Sequence, residues 1–482
     1  MNEATPTDSP EKPDDGAGIR LPLIVILLIA AFLRFYQLGV DPFWRDEGTA
    51  YLVATLPWQK MWDVLLHERA NMVFFFLLIR FWEHVGSGEA TLRLLSVIPG
   101  ILSVLLVYLL GSRWFDRRTG LYAALTLSLS ALHVQYSQEL RGYAMMLMLL
   151  LMSAIFLDRA VKEGQLRFWA GHVITSALAF YCSTTALLLV IPIWVSFPLL
   201  YPGWRAHARR FIVAAFSFVI LISPMLYVVS RNDVRILTGF GSLGTWNVRQ
   251  LVLQFVYGRA LLTFFAVVGI VAFMHVVQKR PKWRELVAMI ILLSVPFFAI
   301  LALSFVKTLS SGRYLIAAWI PLSILVGFSL SRLGRRWLRG VAVVALIVLS
   351  ARTIDAYYKV HKTDWRGATR YALEQAKPGD GAVFFTTQGS HSFLYYARET
   401  PDAIEILVPA DSAWWTLEMD PDPSAIAETV RDHRRVWLFL SATQHHMRRP
   451  KELEIQRALE PDFARVAQRD FYGVDAILYE KR

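Results

Sequence analysis

The sequence predicts a mainly α-helical, polytopic membrane protein that ends in a small α/β domain. Three observations lead there. Of its 482 residues, 55% are apolar and only 18% charged, against about a quarter charged in an ordinary soluble domain. The apolar residues fall in runs, many approaching the ~20 residues a helix needs to cross a bilayer. Past residue 360 the runs stop, and short apolar strands alternate with helical stretches, the pattern of an α/β domain.

Residues 1–20 are polar and rich in Pro, Asp and Glu. They lack the basic start and cleavage site of a signal peptide, so a disordered cytoplasmic tail is expected before a retained first span. Basic clusters then punctuate the chain at Arg113/Arg117/Arg118, Arg159/Lys162/Arg167, Arg205/Arg209/Arg210, Lys279/Arg280/Lys282/Arg284 and Arg332/Arg335/Arg336/Arg339. Between consecutive clusters lies enough apolar length for an out-and-back pair of helices. Short cytoplasmic loops concentrate Lys and Arg, so each cluster is expected inside.

The expected spans are 21–38, 90–112, 119–136, 141–157, 168–182, 184–201, 211–230, 258–278, 286–306, 313–331 and 338–354, about eleven by the span-length rule. The run 168–201 is one apolar stretch, divided near Ser183-Thr184-Thr185 because both flanks are basic. An odd count puts the N-terminus in the cytoplasm and the C-terminus outside. Residues 21–354 then form the membrane domain and 355–482 an extracytoplasmic one. Asn71–His84 is apolar but short for a span. It is expected to lie at the outer interface within a long first outer loop, 39–89, with Trp62 and Trp82 near the headgroups.

In the last domain a helix is expected over 363–377, followed by a strand at 382–387 and a helix at 391–398. A helix at 423–431, a strand at 436–441, a helix at 451–459 and a strand at 476–480 complete it. No Gly-rich phosphate loop is visible. The single cysteine, Cys182, excludes an intrachain disulfide and a Cys-rich metal cluster, and it reads as a packing residue. The net charge of +12 sits in the gaps between apolar runs, so it reports topology rather than nucleic-acid binding.

Four polar groups share the outer side in this layout. They are Arg45-Asp46-Glu47, His67-Glu68-Arg69-Ala-Asn71, the stretch from His133 through Glu139 and Arg141 to Tyr143, and the stretch from Lys307 to Arg313-Tyr314. Acids this close to a bilayer are costly unless they face a wet cavity or do chemistry. A carboxylate can take a hydroxyl proton as general base. A guanidinium is planar, always charged and binds two phosphate oxygens at once. Collected at one face, such groups fit transfer from an anionic lipid carrier.

Each group also has a structural reading. Asp46-Glu47 could cap a helix, although capping needs only one acid. Glu68 reads equally as a solvated interfacial residue. Glu139 and Arg141 could pair at a helix start, Arg313 could snorkel to the headgroups, and His133 reads as a packed or hydrogen-bonded residue. His445-His446 reads as a solvated loop, and no His/Cys/Asp spacing forms a metal motif.

The segments FWRDEGTAYLVA (43–54), HERANMVFFFLLIRFW (67–82), ALHVQYSQELRGYAMMLML (131–149), SGRYLIAAWIPL (311–322) and TDWRGATRYALEQAKPGD (363–380) occur in this order. As a set they resemble the membrane glycosyltransferases of the GT-C fold, in the protein-O-mannosyltransferase and aminoarabinose-transferase group, with the last segment similar to bacterial members. The resemblance spans about residues 20–400. It implies a polyprenyl-phosphate-sugar donor used at the outer face of the cytoplasmic membrane, and single displacement with inversion at the anomeric carbon. It implies Asp46 as base on the acceptor hydroxyl, Glu47 on donor or acceptor and Glu68 on a neighbouring polar group. Arg141 and Arg313 would hold the lipid phosphate, with Tyr143 and Tyr314 lining the pocket. No cofactor is expected: some relatives of this fold bind a divalent ion, while the nearer ones imply a metal-free site. Asn71-Met72 departs from the His-Pro or Pro-Pro of many relatives. The rival class is a lipid-linked-sugar flippase or transporter. Against it, no inverted repeat is apparent and the charges gather on one side rather than at the midplane. Neither sugar nor acceptor is named by the sequence.

Overall fold

Long apolar stretches bounded by charge should form helices that bury one face and offer the other to lipid, and they do. The computed structural model describes residues 16–67, 71–232, 245–279, 282–303, 311–409, 422–441 and 449–482. The chain opens with α1 (Gly16–Phe35), followed by three short helices, α2 (Arg45–Thr55), α3 (Trp58–His67) and α4 (Val73–Trp82). Then come α5 (Glu89–Trp114), α6 (Arg117–Ser128), α7 (Ala131–Ser137), α8 (Tyr143–Glu163), α9 (Leu166–Cys182), α10 (Leu187–Val195) and α11 (Phe197–Leu200). The membrane part ends with α12 (Ala208–Asn232), α13 (Thr245–Val256), α14 (Arg259–Lys279), α15 (Trp283–Leu303), α16 (Trp319–Arg332) and α17 (Arg336–Tyr358).

Among the described residues, the stretches expected to span are largely helical. Among the described residues six helices are long and apolar enough to cross a membrane by themselves, or seven with the α13–α14 pair, which bends by 82°. The other stretches are interrupted, each by a local cause. Ser130 ends the 119–136 stretch and restarts it as α7, its Oγ accepting the His133 N–H at 3.2 Å. Ser183, at the expected division of the long run, is extended (φ −166°). The 313–331 stretch begins as a 3₁₀ turn over Gly312–Ala318. Met72, which caps α4, has φ +63°, a conformation closed to proline, whose ring fixes φ near about −65°. The local backbone thus accounts for the departure from Pro at that position.

Apolar residues at helical spacing lie exposed along single faces, as Leu28 and Phe32 do on α1, and Ile212, Phe216 and Ile220 on α12. Such bare faces suit lipid, not water. Between helices the contact is close. A Cβ on Gly120 of α6 would meet the Tyr108 carbonyl oxygen of α5 at 2.4 Å, the small-residue packing that membrane helices use in place of a hydrophobic driving force.

The C-terminal region comprises α18 (Trp365–Gln375), β1 (Gly381–Phe385), α19 (Gly389–Ala397), β2 (Glu405–Ile406), α20 (Pro423–Val430), β3 (Arg435–Ser441), α21 (Arg449–Leu459), β4 (Phe463–Phe471) and β5 (Val474–Lys481). The strands form one sheet in the order β2-β1-β3-β5-β4. β1 runs parallel to β2 and β3, and β5 antiparallel to β3 and β4. Trp365 of α18 and Phe393 of α19 pack on one face with Phe384 and Trp437. Ile426 of α20 and Ile455 of α21 pack on the other with Phe385 and Leu438. β2 and β4 are additions to the expected elements.

This domain sits directly on the segment between α1 and α5. A Cβ on Gly48 of α2 would meet the Ser392 backbone nitrogen of α19 at 2.8 Å. Beside it Thr49 Oγ1 and His391 Nδ1 are 2.7 Å apart. The Phe43 N–H donates to the Tyr396 hydroxyl at 2.6 Å, and the Tyr395 hydroxyl donates to the Ser87 carbonyl at 2.8 Å. Arg366 holds the Glu89 carboxylate at 2.5 Å. We predict that Gly48→Ala pushes α19 off α2 at about 1–3 kcal/mol, the cost of overpacking a tight contact. Thermal unfolding in detergent should start several degrees lower, and the C-terminal domain should be cut sooner by protease. An unchanged melting temperature and digestion pattern would contradict this account of the docking.

Candidate active site

The site is built on the first turn of α2. Pro42 keeps the preceding residues out of the helix, and Trp44 enters it extended (ψ 174°) with no side-chain cap. Asp46 and Glu47 therefore do not cap. Adjacent helical positions diverge by about 100°, so the two acids point to different surroundings.

Glu47 points inward and is 0% exposed. Arg93, from the second turn of α5, grips it with two bonds, Nε to Oε1 and Nη2 to Oε2, each 2.8 Å. The Leu140 N–H donates to Oε1 at 2.9 Å, and Lys362 Nζ donates to Oε2 at 3.1 Å. Burial alone would push this carboxyl up. Arg93, Lys362 and the Leu140 N–H outweigh it and bring it down to about 2. The expectation that Glu47 contacts donor or acceptor meets a carboxylate whose two oxygens are both already taken by protein groups.

Asp46 is different. It is 16% exposed and lies among three guanidinium groups, with Arg313 Nη1 at 2.9 Å, Arg45 Nε at 3.5 Å and Arg141 Nη2 at 3.8 Å. Burial raises its carboxyl, and the charges of Arg141, Arg313 and Arg45 more than reverse this, holding it below the usual carboxylate range. The Arg141 guanidinium lies 5.8 Å from the Tyr143 ring and that of Arg313 5.5 Å from the Tyr314 ring, both within cation–π range. Tyr143 in turn meets Tyr136 edge-on at 5.0 Å. The Nε atoms of Arg141 and Arg313 are buried and have no hydrogen-bond partner among the described residues. Buried donors are seldom left so without a reason, and here the unmet demand is for an anion.

The structure thus gathers Asp46, Arg141, Tyr143, Arg313 and Tyr314 in one place, with Glu47 behind them. Glu68 lies outside the described residues, as do Lys307 and His445-His446. Glu139 is buried, bonded through Oε1 to the Gln135 amide at 3.0 Å. Burial pushes its carboxyl above the usual range, with Glu47 and Asp46 adding to this and Lys362 opposing it. His133 is buried, its Nδ1 2.6 Å from Arg34 Nη2. Two participants escaped the sequence reading. Arg93 had a signal, a lone charge within an apolar stretch. Lys362, in the linker after α17, had none. Among the described residues no cluster of His, Cys, Asp and Glu could hold a metal ion.

A cavity of about 660 Å³ opens between α3, α4, α9 and α12. Trp62, Val73, Leu77 and Tyr227 line it with apolar surface, and His67 and Arg231 supply polar groups.

Glu47 titrates lower in the folded chain than the ordinary 4.5. It therefore adds stability above that pH, and this is lost as pH falls toward about 2. We predict that Glu47→Gln, which leaves Arg93 buried and half-paired, costs about 3–5 kcal/mol at neutral pH. Its melting temperature should fall less than that of the wild type between neutral pH and pH ~3, where the wild type has already lost part of the stability that the pair contributes. Parallel pH profiles for the two proteins would refute the pairing as a source of stability.

A search of curated proteins finds no match for this chain. Residues 70–228 match the family described as dolichyl-phosphate-mannose-protein mannosyltransferase. The fold is similar to that of ArnT from Cupriavidus metallidurans in the apo state, with a TM-score of 0.67 at 12% identity, covering 96% of this chain and 98% of that one. ArnT bound to undecaprenyl phosphate superposes with a TM-score of 0.64 at 13% identity over the same shares. The apo oligosaccharyltransferase of Archaeoglobus fulgidus gives 0.59 at 11% identity, over 94% of this chain and 74% of that one. With a family match from α4 to α12 and one architecture shared along almost its whole length, this multi-pass membrane chain has the GT-C fold of the membrane glycosyltransferases.

Proposed function

We propose that the chain transfers a sugar from a polyprenyl-phosphate carrier to an acceptor hydroxyl at the outer face of the cytoplasmic membrane, with Asp46 as the base. One observation carries this reading: a partly open carboxylate ringed by guanidinium groups that still have unused donors. A carboxylate alone could serve many reactions. A carboxylate beside an unfilled anion site fits one in which a proton is taken while a phosphate departs. The bound undecaprenyl phosphate of ArnT supports the choice of carrier, and the apolar cavity beside α4 suits a prenyl chain.

The donor is a phosphodiester with one negative charge. Its phosphate draws Arg313 and Arg141 away from Asp46 and onto its oxygens, as charge-assisted bonds favour. Asp46, relieved of those cations, becomes a stronger base. The acceptor hydroxyl gives its proton to Asp46, and its oxygen forms the new bond to the anomeric carbon from the face opposite the phosphate. The carbon–oxygen bond to phosphate breaks, its electron pair stays on the phosphate oxygen, and the configuration inverts. The carrier leaves as a monoester with one more negative charge, which the guanidinium groups are already placed to stabilise. Tyr143 and Tyr314 orient those groups by stacking. Glu47 does not touch substrate in this scheme; it fixes α2. The membrane domain covers 21–354, with residues 1–20 in the cytoplasm, and 355–482 stand outside.

Three measurements test the reading. Asp46→Asn should lower transfer by about 10²–10⁴-fold, the usual worth of a general base, while polyprenyl-phosphate binding persists; normal transfer by this variant ends the assignment. Arg141→Ala and Arg313→Ala should each raise the donor KM about tenfold to a hundredfold, the loss of one charge-assisted contact. In the free enzyme the acid limb of kcat/KM should fall below the ordinary carboxylate range, following Asp46. The mass of the lipid-linked sugar that accumulates when the protein is absent names the donor.

A further inference from the structure

Three acids converge at and behind the site, and among the described residues the membrane helices supply too few cations for them. Arg93 is committed to Glu47 through two bonds, one to each carboxylate oxygen. Arg141 and Arg313 face Asp46. Glu139 remains, its side chain 2% exposed, with Lys362 Nζ 3.8 Å from Oε1. Its Oε2 has no hydrogen-bond partner among the described residues, and Lys362 is the one cation within ion-pair distance of it there. The same ammonium reaches Glu47 at 3.1 Å, and its side chain is only 14% exposed.

We infer that Lys362 is a positioning residue: its ammonium neutralises Glu139 against Glu47, and through that contact the seating of the C-terminal domain holds Asp46 and Arg141 in their working places. The inference rests on the sugar-transfer reading above and adds a requirement to it.

The chain of contacts runs as follows. Lys362 lies in a short linker pinned at both ends. Tyr358 donates its hydroxyl to the Leu33 carbonyl before it. His361 Nδ1 is 3.6 Å from Asp41. After it the Asp364 N–H donates to the Tyr472 carbonyl at 2.8 Å, and the Asp364 carboxylate caps α18 through the Gly367 N–H at 2.8 Å. Arg366 then binds Glu89. The ammonium is therefore in place only when the C-terminal domain is docked. On its other side, Glu139 stands next to Leu140, whose N–H holds Glu47, and two residues before Arg141. Without the ammonium, two buried carboxylates face each other with no cation between them. Repulsion then displaces the Glu139–Arg141 turn, and with it the guanidinium that faces Asp46.

The groups facing Glu139 are Gln135, Lys362, Glu47 and Asp46, with the hydroxyls of Tyr136, Tyr257 and Tyr357. Of these, only Lys362 carries positive charge. Transfer kinetics on wild type, Lys362→Met, Lys362→Arg and Lys362→Met/Glu139→Gln decide the matter. Lys362→Met should lose about tenfold or more in kcat at pH ~8, a coupling of the size found within one polar network. It should regain activity as the pH is lowered and Glu139 takes up a proton. The double variant, which has no charge at position 139 to set against Glu47, should recover most of the loss and lose the pH dependence; Lys362→Arg should stay near wild type. Wild-type kinetics for Lys362→Met, or no rescue by Glu139→Gln, would overturn the inference. Thermal unfolding of the same proteins in detergent, without substrate, separates this from failure of the functional reading. The Lys362→Met melting temperature should drop as pH rises from about 5 to about 8, where the isolated acid must ionise, and the double variant should not follow. If no polyprenyl-phosphate sugar is used even by wild type, the sugar-transfer reading fails, while a flat unfolding profile for Lys362→Met would sink the charge balance on its own.

Discussion

The ion pair between Glu47 and Arg93 is the constraint from which the site follows. An ionised carboxylate out of water costs several kcal/mol unless it is paired and hydrogen-bonded. Here it is gripped twice by one guanidinium, once by a backbone N–H and once by an ammonium. The partners come from α5, from the turn before α8 and from the linker after α17. Four separate segments are thus drawn to one point, and none can move without uncovering a buried charge. Arg93 extends the bracing, since its Nη1 also donates to the carbonyls of Leu38 and Asp41 at 2.7 and 2.9 Å. That fixes the chain between α1 and α2, and hence the direction in which α2 points its first turn.

Because α2 is fixed in this way, Asp46 is aimed as well. The next-door acids have opposite surroundings: one closed and fully satisfied, the other partly open and facing guanidinium groups with spare donors. Environments that differ so sharply assign different work to identical chemistry. A closed carboxylate holds structure, and an open one can exchange partners. In the proposed transfer the balance at Asp46 is between its own charge and that of an incoming phosphate, both competing for the same arginines. This makes the free site a self-neutralised form of the occupied one.

The C-terminal sheet domain belongs to this frame. Its helix α19 lies on α2 at the one position where the helix has no side chain, and its tyrosines and Arg366 bond to the ends of the segment between α1 and α5 and to the first residue of α5. A domain joined only by a flexible linker would leave such a surface wet and mobile. Here the linker itself is a strut, and through Lys362 it reaches the buried acids.

The sequence by itself determined the helices. Their apolar length and basic ends are local properties, so even the division at Ser183 was legible from charge on the two flanks. Strands β1, β3 and β5 were legible because a strand buried on both faces reads as a continuous apolar run. β4 was not, since Phe463–Phe471 keeps most of its residues exposed at the sheet's edge, and neither was α13, which matters through its bend against α14. The residues that the structure gathers at the candidate site were also named by local motifs: Asp46, Arg141, Tyr143, Arg313 and Tyr314 stand in short segments. What only the tertiary structure decided is which acid is locked and which is open. The partners of Glu47 and Asp46 lie 46, 267 and 315 residues away along the chain. Nothing in the neighbourhood of Asp46-Glu47 distinguishes the two, because a carboxylate's role is set by the charges around it in space, and those meet only after the helices and the sheet have packed.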